Sequence, residues 1–214
     1  MILSYVTAHQ LLNRVAKVSD RSRILIHGAG GAVGTAMLEL AQLRQIEVYG
    51  TASLAKHKTV RERGGIPIDY KGQDFTEAIL TLGDPGVDAV FDPIGGEHLT
   101  RSFRVTRDRG ILVAYGFQNA VQGKGGNVLL DLLRLKVWNW LPNGKSTAFY
   151  SIGATRKSHP QWFKEDLTFL FQLLKGGKVD PVIDRIISLE GIPDAHRRIE
   201  AGEPIGKIVV RLRK

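Results

Sequence analysis

The 214-residue chain contains no cysteine. Disulfides and thiolate-bound zinc are thereby excluded, and the composition fits a reducing compartment. Apolar runs are short, none approaching the roughly 20 residues that span a bilayer. The N-terminus also lacks the basic, apolar and small-residue series of a secretory signal. A cytoplasmic location without membrane attachment is the expectation. Acidic residues are in deficit, with 21 Asp and Glu against 30 Lys and Arg and a net charge of +9. Such an excess suits nucleic acid, an anionic surface or a phosphate-rich cofactor, or is an ordinary solvated face. The bases are spread along the chain, and no nucleic-acid motif accompanies them, so nucleic acid is not the expected partner.

Several catalytic signatures are missing as well. None of the five tyrosines has a lysine four residues later, so the Tyr/Lys acid pair of short-chain dehydrogenases is absent. Gly-x-Ser-x-Gly does not occur, which removes the nucleophile elbow. Gly144-Lys145-Ser146 looks like the end of a P-loop, but Asn139 stands where its first glycine belongs. The six histidines show no metal-ligand spacing, and His27 reads as a packing residue at the end of a strand. No metal is expected, and no acid or base stands out as catalytic.

What is present centres on one stretch, Arg23-Ile24-Leu25-Ile26-His27-Gly28-Ala29-Gly30-Gly31-Ala32-Val33-Gly34. The apolar run predicts a buried parallel strand, the glycines a tight turn, and the segment from Val33 onward a helix. Glycine there lets the backbone bend, approach an anion and pack the helix against its strand. The first-turn amides and the helix dipole then suit a pyrophosphate. A purely structural turn is the alternative, made weaker by a strand-like run following at Glu47 to Ala52.

After that second strand comes Gly50-Thr51-Ala52-Ser53-Leu54-Ala55-Lys56. An NAD-preferring unit carries an acid here for the ribose hydroxyls, and none is present. Ser53 and Lys56, with His57 and Lys58 nearby, instead suit a 2′-phosphate, so NADP is favoured over NAD; a solvated basic loop is the bland alternative.

The rhythm of strand and helix continues: strand 66–70, helix 75–82, strand 87–92, helix 97–103 and strand 110–116. A helix over 4–18 precedes it. This alternation predicts an α/β doubly wound parallel sheet of the Rossmann kind. Residues 127–141 are apolar around most of a helical circumference, which predicts a buried or an interface helix. A strand over 147–153 and an amphipathic helix over 160–174 follow. The close is a strand over 181–189, a helix over 192–200 and a strand over 206–212.

Leu3 to Ala8, Ile26 to Gly34, Gly50 to Lys56, Asp69-Tyr70, Val87 to Gly96 and Gly206-Lys207-Ile208-Val209 resemble, in that order, the quinone oxidoreductase branch of the medium-chain dehydrogenases/reductases, the zeta-crystallin-like enzymes. The resemblance covers essentially the whole chain, although Ala32 replaces a frequent glycine. It implies hydride transfer from NADPH to a quinone or an α,β-unsaturated carbonyl, without zinc. Gly28, Gly31, Ala32, Val33 and Gly34 would hold the pyrophosphate. Ser53, Lys56 and Tyr70 would surround the 2′-phosphate and its ribose, and Thr7, Ile94, Tyr115 and Gly116 would lie along the nicotinamide half. Family members begin with a GroES-like domain that forms the other wall of the active-site cleft; these 214 residues do not include it, and Met1 stands almost against the first helix, so an upstream segment missing from this sequence is one expectation. The expected division is a NADP-binding domain over 1–151 and a C-terminal β-α-β remnant of the catalytic domain over 152–214, its apolar faces open to solvent, to a second copy or to another partner. An NADPH-dependent oxidoreductase, either a shortened form or a fragment of a longer enzyme, with little turnover on its own, is one expectation. A non-catalytic NADP-binding module, serving as sensor or interaction subunit, is the alternative.

Overall fold

A computed structural model describes residues 2–121, 123 and 127–212. Its centre is a six-stranded parallel sheet of β1 (Arg23–His27), β2 (Glu47–Ala52), β3 (Gly65–Asp69), β4 (Val87–Asp92), β5 (Thr106–Ala114) and β6 (Ser146–Phe149), in the order β3-β2-β1-β4-β5-β6. Ile24, Leu25 and Ile26 are fully buried because both faces of β1 are covered, the condition that makes parallel strands read as continuous apolar runs. Ile24 and Ile26 join Val48, Ala89, Phe91 and Val113 in one core, whereas Leu25, Val90, Leu112 and Ala114 point into a second core across the sheet. The first core is closed by α1 (Ile2–Gln10) and α2 (Ala32–Gln42), the second by α4 (Phe75–Leu80), α5 (Glu97–Val105) and α7 (Val128–Trp140). Between them lie α3 (His57–Glu62), behind β2, and the short α6 (Gln118–Val121).

The chain leaves β1 through α2, builds β2 and β3 on one side, and returns to β4 on the other side of β1. Strand order therefore reverses between β1 and β4, and ligands of open α/β sheets bind at such a switch point, beyond the carboxyl ends of the strands.

The remaining elements are α8 (Ile152–Ser158), α9 (Pro160–Lys175), β7 (Ile183–Ile187), α10 (Ile192–Glu200) and β8 (Lys207–Val210). α9 lies against α1, where the buried Asp166 carboxylate accepts hydrogen bonds from Gln10 and Arg14. β7 and β8 form a separate parallel pair joined by α10, which is the expected C-terminal β-α-β unit. It exposes Ile183, Ile186, Leu189 and Ile199, each about half accessible.

Several boundaries depart from the sequence expectations. The helix expected over 4–18 ends as an α-helix at Gln10 and continues as a π-turn over Leu11–Val15, with Ala16 N–H donating to the Leu11 carbonyl at 3.0 Å. The strand expected over 147–153 stops at Phe149, and Ser151 instead caps α8 through the Ala154 amide. Residues 57–62, to which the sequence pattern assigned no element, form α3, with Val60 completely buried. The buried alternative for 127–141 is overturned: Asn127 caps α7 as a helix should be capped, yet Leu129 is 74% and Trp140 90% exposed. Its inner residues Asp131 and Leu135 alone are buried among the described residues.

Candidate functional site

Gly28 opens the turn after β1 with φ +70°, a conformation costly for any residue with a Cβ. Its carbonyl accepts from Gly31 N–H at 2.9 Å, and the Gly31 carbonyl accepts from Thr35 N–H at 2.9 Å, so the turn runs directly into α2. Side-chain capping is absent at the start of α2: Gly31 is the cap position, and Ala32, Val33 and Gly34 carry no acceptor. The first amides of the helix thus face the carboxyl edge of the sheet without a protein partner, at the positive end of the helix dipole. A Cβ on Gly34 would lie 2.6 Å from Ala29 Cα, and one on Gly50 would lie 2.5 Å from Ala29 Cβ. Strand, turn and helix approach as closely as a nucleotide-binding turn requires.

To one side, the register of β2 and β3 pairs Ala52 with Asp69, so Ser53 and Tyr70 emerge side by side. Lys56 comes back toward the turn, its stem against Gly30, where a Cβ would meet Lys56 Cδ at 2.6 Å. Its ammonium is engaged: it donates to the carbonyls of Gly202 at 2.7 Å and Pro204 at 2.8 Å. Burial lowers the pKa of this lysine, a shift opposed by the Asp184 carboxylate. The sequence placed a free cation here, and the structure adds a C-terminal loop that already holds it.

To the other side, Ile94, Tyr115 and Gly116 converge. Tyr115 N–H donates to the Asp92 carbonyl at 2.9 Å, and Gln118 and Asn119 donate to the carbonyls of Pro93 and Ile94, each at 3.0 Å. Gly116 lies so close to this loop that a Cβ would meet the Pro93 carbonyl at 2.9 Å. Thr7 is buried on α1, one helical turn before Gln10, whose side-chain oxygen accepts from the Tyr150 phenol at 2.8 Å. Of the sequence candidates, Ser53/Lys56/Tyr70, Gly28 to Gly34 and Ile94/Tyr115/Gly116 therefore stand at the carboxyl ends of the strands in three groups, while Thr7 lies buried on α1.

Beneath this edge lies a polar network whose bonded members are up to 75 residues apart in sequence. Asp92 is fully buried, and its Oδ1 accepts from the amides of Ile94 at 2.7 Å and Gly95 at 3.2 Å. Its Oδ2 accepts from Ser102 Oγ at 2.7 Å and lies 2.8 Å from His98 Nδ1. His27 bridges Thr51 and Ser102 through its two ring nitrogens, each at 3.1 Å. A second carboxylate, Asp131 on α7, accepts from Gly96 N–H at 2.8 Å, and Arg134 donates to the Gly96 carbonyl. Residues 93–96 are thus held from below and from the side.

Ligand atoms of His27, Asp92 and His98 fall within 4.8 Å of one another, a grouping that linear spacing could not show. Both nitrogens of His27 already face hydroxyls, and Asp92 is fully engaged by hydrogen-bonding partners. With no cysteine in the chain as well, this is the donor set of a closed hydrogen-bond network rather than of a zinc centre with an open position. Burial foremost, with the neighbouring His98, pushes the His27 pKa from 6.5 down to about 3. Hydrogen bonds and the histidines hold Asp92 well below the usual carboxylate range despite its burial.

These shifts set a pH response. His27 stays neutral in the folded state while the unfolded chain takes up a proton below pH 6.5, so His27 costs stability as pH falls from about 6.5 toward about 3. Asp92, ionised throughout that window, adds nothing until pH falls below the unfolded carboxylate value of ~3.9. Urea unfolding between pH 7.5 and 5 is expected to show a wild-type loss, attributable to His27, of about 1.4 kcal/mol per pH unit below 6.5. In His27→Gln that component disappears; parallel decline of both proteins would refute a neutral buried His27.

The chain matches the family model for zinc-binding dehydrogenases over residues 66–210. A zebrafish (Danio rerio) protein named synaptic vesicle membrane protein VAT-1 homolog is 29% identical over 97% of this chain and 44% of its own length. A Burkholderia 2-haloacrylate reductase is 29% identical over 98% of this chain and 61% of its own. Among solved structures, the quinone oxidoreductase of Coxiella burnetii superposes with a TM-score of 0.77 at 26% identity, over 99% of this chain and 59% of that one. A mycobacterial protein solved in complex with NADPH gives 0.83 at 23% identity, over 99% and 63%. The chain spans about half the length of the VAT-1 relatives it matches. With the switch-point edge, the glycine turn and the matched residues together, the chain belongs to the zinc-binding dehydrogenase family.

Proposed function

We propose that this chain is the NADP(H)-binding part of an oxidoreductase that reduces quinones or α,β-unsaturated carbonyls without zinc. The observation that carries the reading is the uncapped start of α2 behind a glycine turn, at the edge where strand order reverses. Two similar proteins support the reaction class by their names, a 2-haloacrylate reductase and a quinone oxidoreductase, and the NADPH complex of a fold neighbour supports the cofactor. When bound, the cofactor supplies a hydride. The chain's residues bind and orient it: the α2 amides at the pyrophosphate, Ser53, Lys56 and Tyr70 at the 2′-phosphate end, and the pinned loop 93–96 with Tyr115 at the nicotinamide end.

Fast turnover needs a dry, oriented pocket on the open side of that edge. The exposed apolar face of the β7–α10–β8 unit is a surface for a further wall of such a pocket. The chain alone is therefore proposed to bind NADPH and turn over slowly. This keeps the second reading, a binding module without catalysis, in play, and steady-state NADPH oxidation with a simple quinone separates the two.

Fluorescence titration tests the cofactor assignment. NADPH is expected to bind more tightly than NADH, and Lys56→Ala to weaken NADPH by about tenfold while leaving NADH within about twofold, as loss of one charge-assisted contact predicts. Equal affinity for both nucleotides, unmoved by Lys56→Ala, would end the NADP reading.

A further inference from the structure

The amino ends of the strands, at the end of the sheet away from the glycine turn, carry a cleft of about 330 Å³. Register places it there: Ile24 of β1 pairs with Ala89 of β4, Ala89 with Ile111 of β5, and Ile111 with Ser146 at the start of β6. Ala89, Ile111 and Ser146 line the cleft from the sheet. Lys17, Ser19 and Ser22, on the connection from α1 to β1, line it together with Asp88 and Arg109. A strand of about five residues separates this cleft from the nucleotide edge by roughly 15–20 Å.

Backbone irregularities bring the cations to it. Among the described residues four non-glycine positions have left-handed backbone, Lys17, Arg21, Gln45 and Arg109, and three of the four are cations. Lys17, at φ +48°, follows the π-turn that ends the first helix, a place that glycine usually fills. Arg109, at φ +62°, lies where the pairing of β4 with β5 shifts register, and its N–H donates to the Gly144 carbonyl at 2.7 Å. Side chains with a Cβ cost stability in this conformation, and such residues collect at ligand clamps and active sites. The neighbouring acids are already committed. Asp88 accepts from Arg23 N–H at 2.8 Å and lies 3.3 Å from Arg107, while Asp20 pairs with Arg44 at 2.7 Å. Among the described residues neither Lys17 nor Arg109 forms an ion pair.

The geometry points to a binding site for a phosphate-type dianion, inorganic phosphate or a phosphomonoester, held between Lys17 and Arg109 with the hydroxyls of Ser19, Ser22 and Ser146 as further donors. A guanidinium fork matches two phosphate oxygens, and an ammonium adds a point charge beside it. Two cations without acids are offset by one dianion, and the hydroxyls give its remaining oxygens donors. A carboxylate, with one charge and two oxygens, would leave half of this set unused. The site shares no residue with the proposed dinucleotide edge and stands independently of it.

Calorimetric titration of the full chain with inorganic phosphate, at fixed ionic strength and with saturating NADPH present, tests the assignment. Lys17→Gln and Arg109→Gln are each expected to weaken phosphate by about tenfold, as loss of one charge-assisted contact predicts, and to leave NADPH within about twofold. Arg109→Gly should lose phosphate equally without lowering the urea midpoint, because glycine adopts the left-handed backbone freely. Lys56→Ala leaves phosphate affinity unchanged. Vesicles of phosphatidylcholine with phosphatidic acid identify the source of the phosphate. Sedimentation with them, lost in both glutamine variants, assigns a lipid headgroup, whereas phosphate binding without sedimentation assigns a soluble ligand. Absence of phosphate binding at millimolar concentration, displacement of phosphate by NADPH, or an affinity unmoved by Lys17→Gln and Arg109→Gln overturns the inference. If the chain bound no NADPH, the dinucleotide reading would fail alone, and the two glutamine variants would still decide this one.

Discussion

Gly34→Val is expected to abolish detectable NADPH binding and to lower unfolding stability by about 2–4 kcal/mol, an overpacking cost at the upper end because the neighbours cannot move aside. The atoms a Cβ would meet are backbone: the Gly28 carbonyl, and Ala29 Cα and carbonyl oxygen, both at 2.6 Å. Relief requires α2 to lift off β1, which moves the very amides that face the proposed phosphate. Gly30 offers the contrast, since its Cβ would meet the Lys56 side chain, with Cδ at 2.6 Å and Cβ at 2.9 Å. Gly30→Ala is thus expected to displace Lys56 and cost less. Gly28→Ala, with nothing within 4 Å of the added Cβ but φ +70°, is expected to cost only backbone strain, about 1 kcal/mol. Urea unfolding and NADPH titration on the three variants check the ranking. Wild-type affinity in Gly34→Val would mean that close approach of helix and strand is not what builds the site.

The same contrast explains what could be read from the sequence. β1, β2 and β4 are buried on both faces, so each appears as a short apolar run, and the turn after β1 is marked by adjacent glycines. Local interactions leave local signals. The start of β5 does not: Thr106-Arg107-Asp108-Arg109 looks like loop, yet it belongs to the strand because Thr106 pairs with Val87 before a register shift. α3 was hidden because its sequence is mostly polar and only Val60 and His57 anchor it. For α7 the apolar content was plain, but which part of it faces the core depends on where β5 and β6 lie.

The candidate site divides in the same way. Glycines and the absent ribose acid pointed to the nucleotide edge, because a turn is encoded in neighbouring residues. The partners that fix that edge come from far away. Lys56 meets carbonyls 146 and 148 residues on, and His27 meets Ser102 across 75 residues. No periodicity in one segment reports such contacts. His27 read as a packing residue, which its burial supports, but its place in a hydrogen-bonded chain ending at Asp92 needed the sheet to bring β1 and β4 together.

Asp92 is where that nonlocal network bears most directly on function, and Asp92→Ala is expected to cost about 3–5 kcal/mol, the usual penalty for removing one partner of a buried charged network. Four groups lose their acceptor at once: the amides of Ile94 and Gly95, the Ser102 hydroxyl and His98. In a domain of this size the loss corresponds to a fall in Tm of roughly 10 °C. Asp92→Asn preserves shape and one acceptor oxygen, so it is expected to stay folded. Its amide nitrogen, however, cannot accept, so either the loop amides or the Ser102–His98 pair must give up that acceptor. If the oxygen stays with Ser102, the loop is released, and amide exchange at Ile94 and Gly95 speeds up while β1 and β4 remain protected. Nicotinamide-end contacts would then loosen and pyrophosphate contacts persist, so Asp92→Asn should weaken NADPH more than ADP-ribose. An Asp92→Ala chain as stable as wild type within about 1 kcal/mol, with unchanged exchange at residues 94 and 95, would show that the loop is held by Asp131 and Arg134 instead.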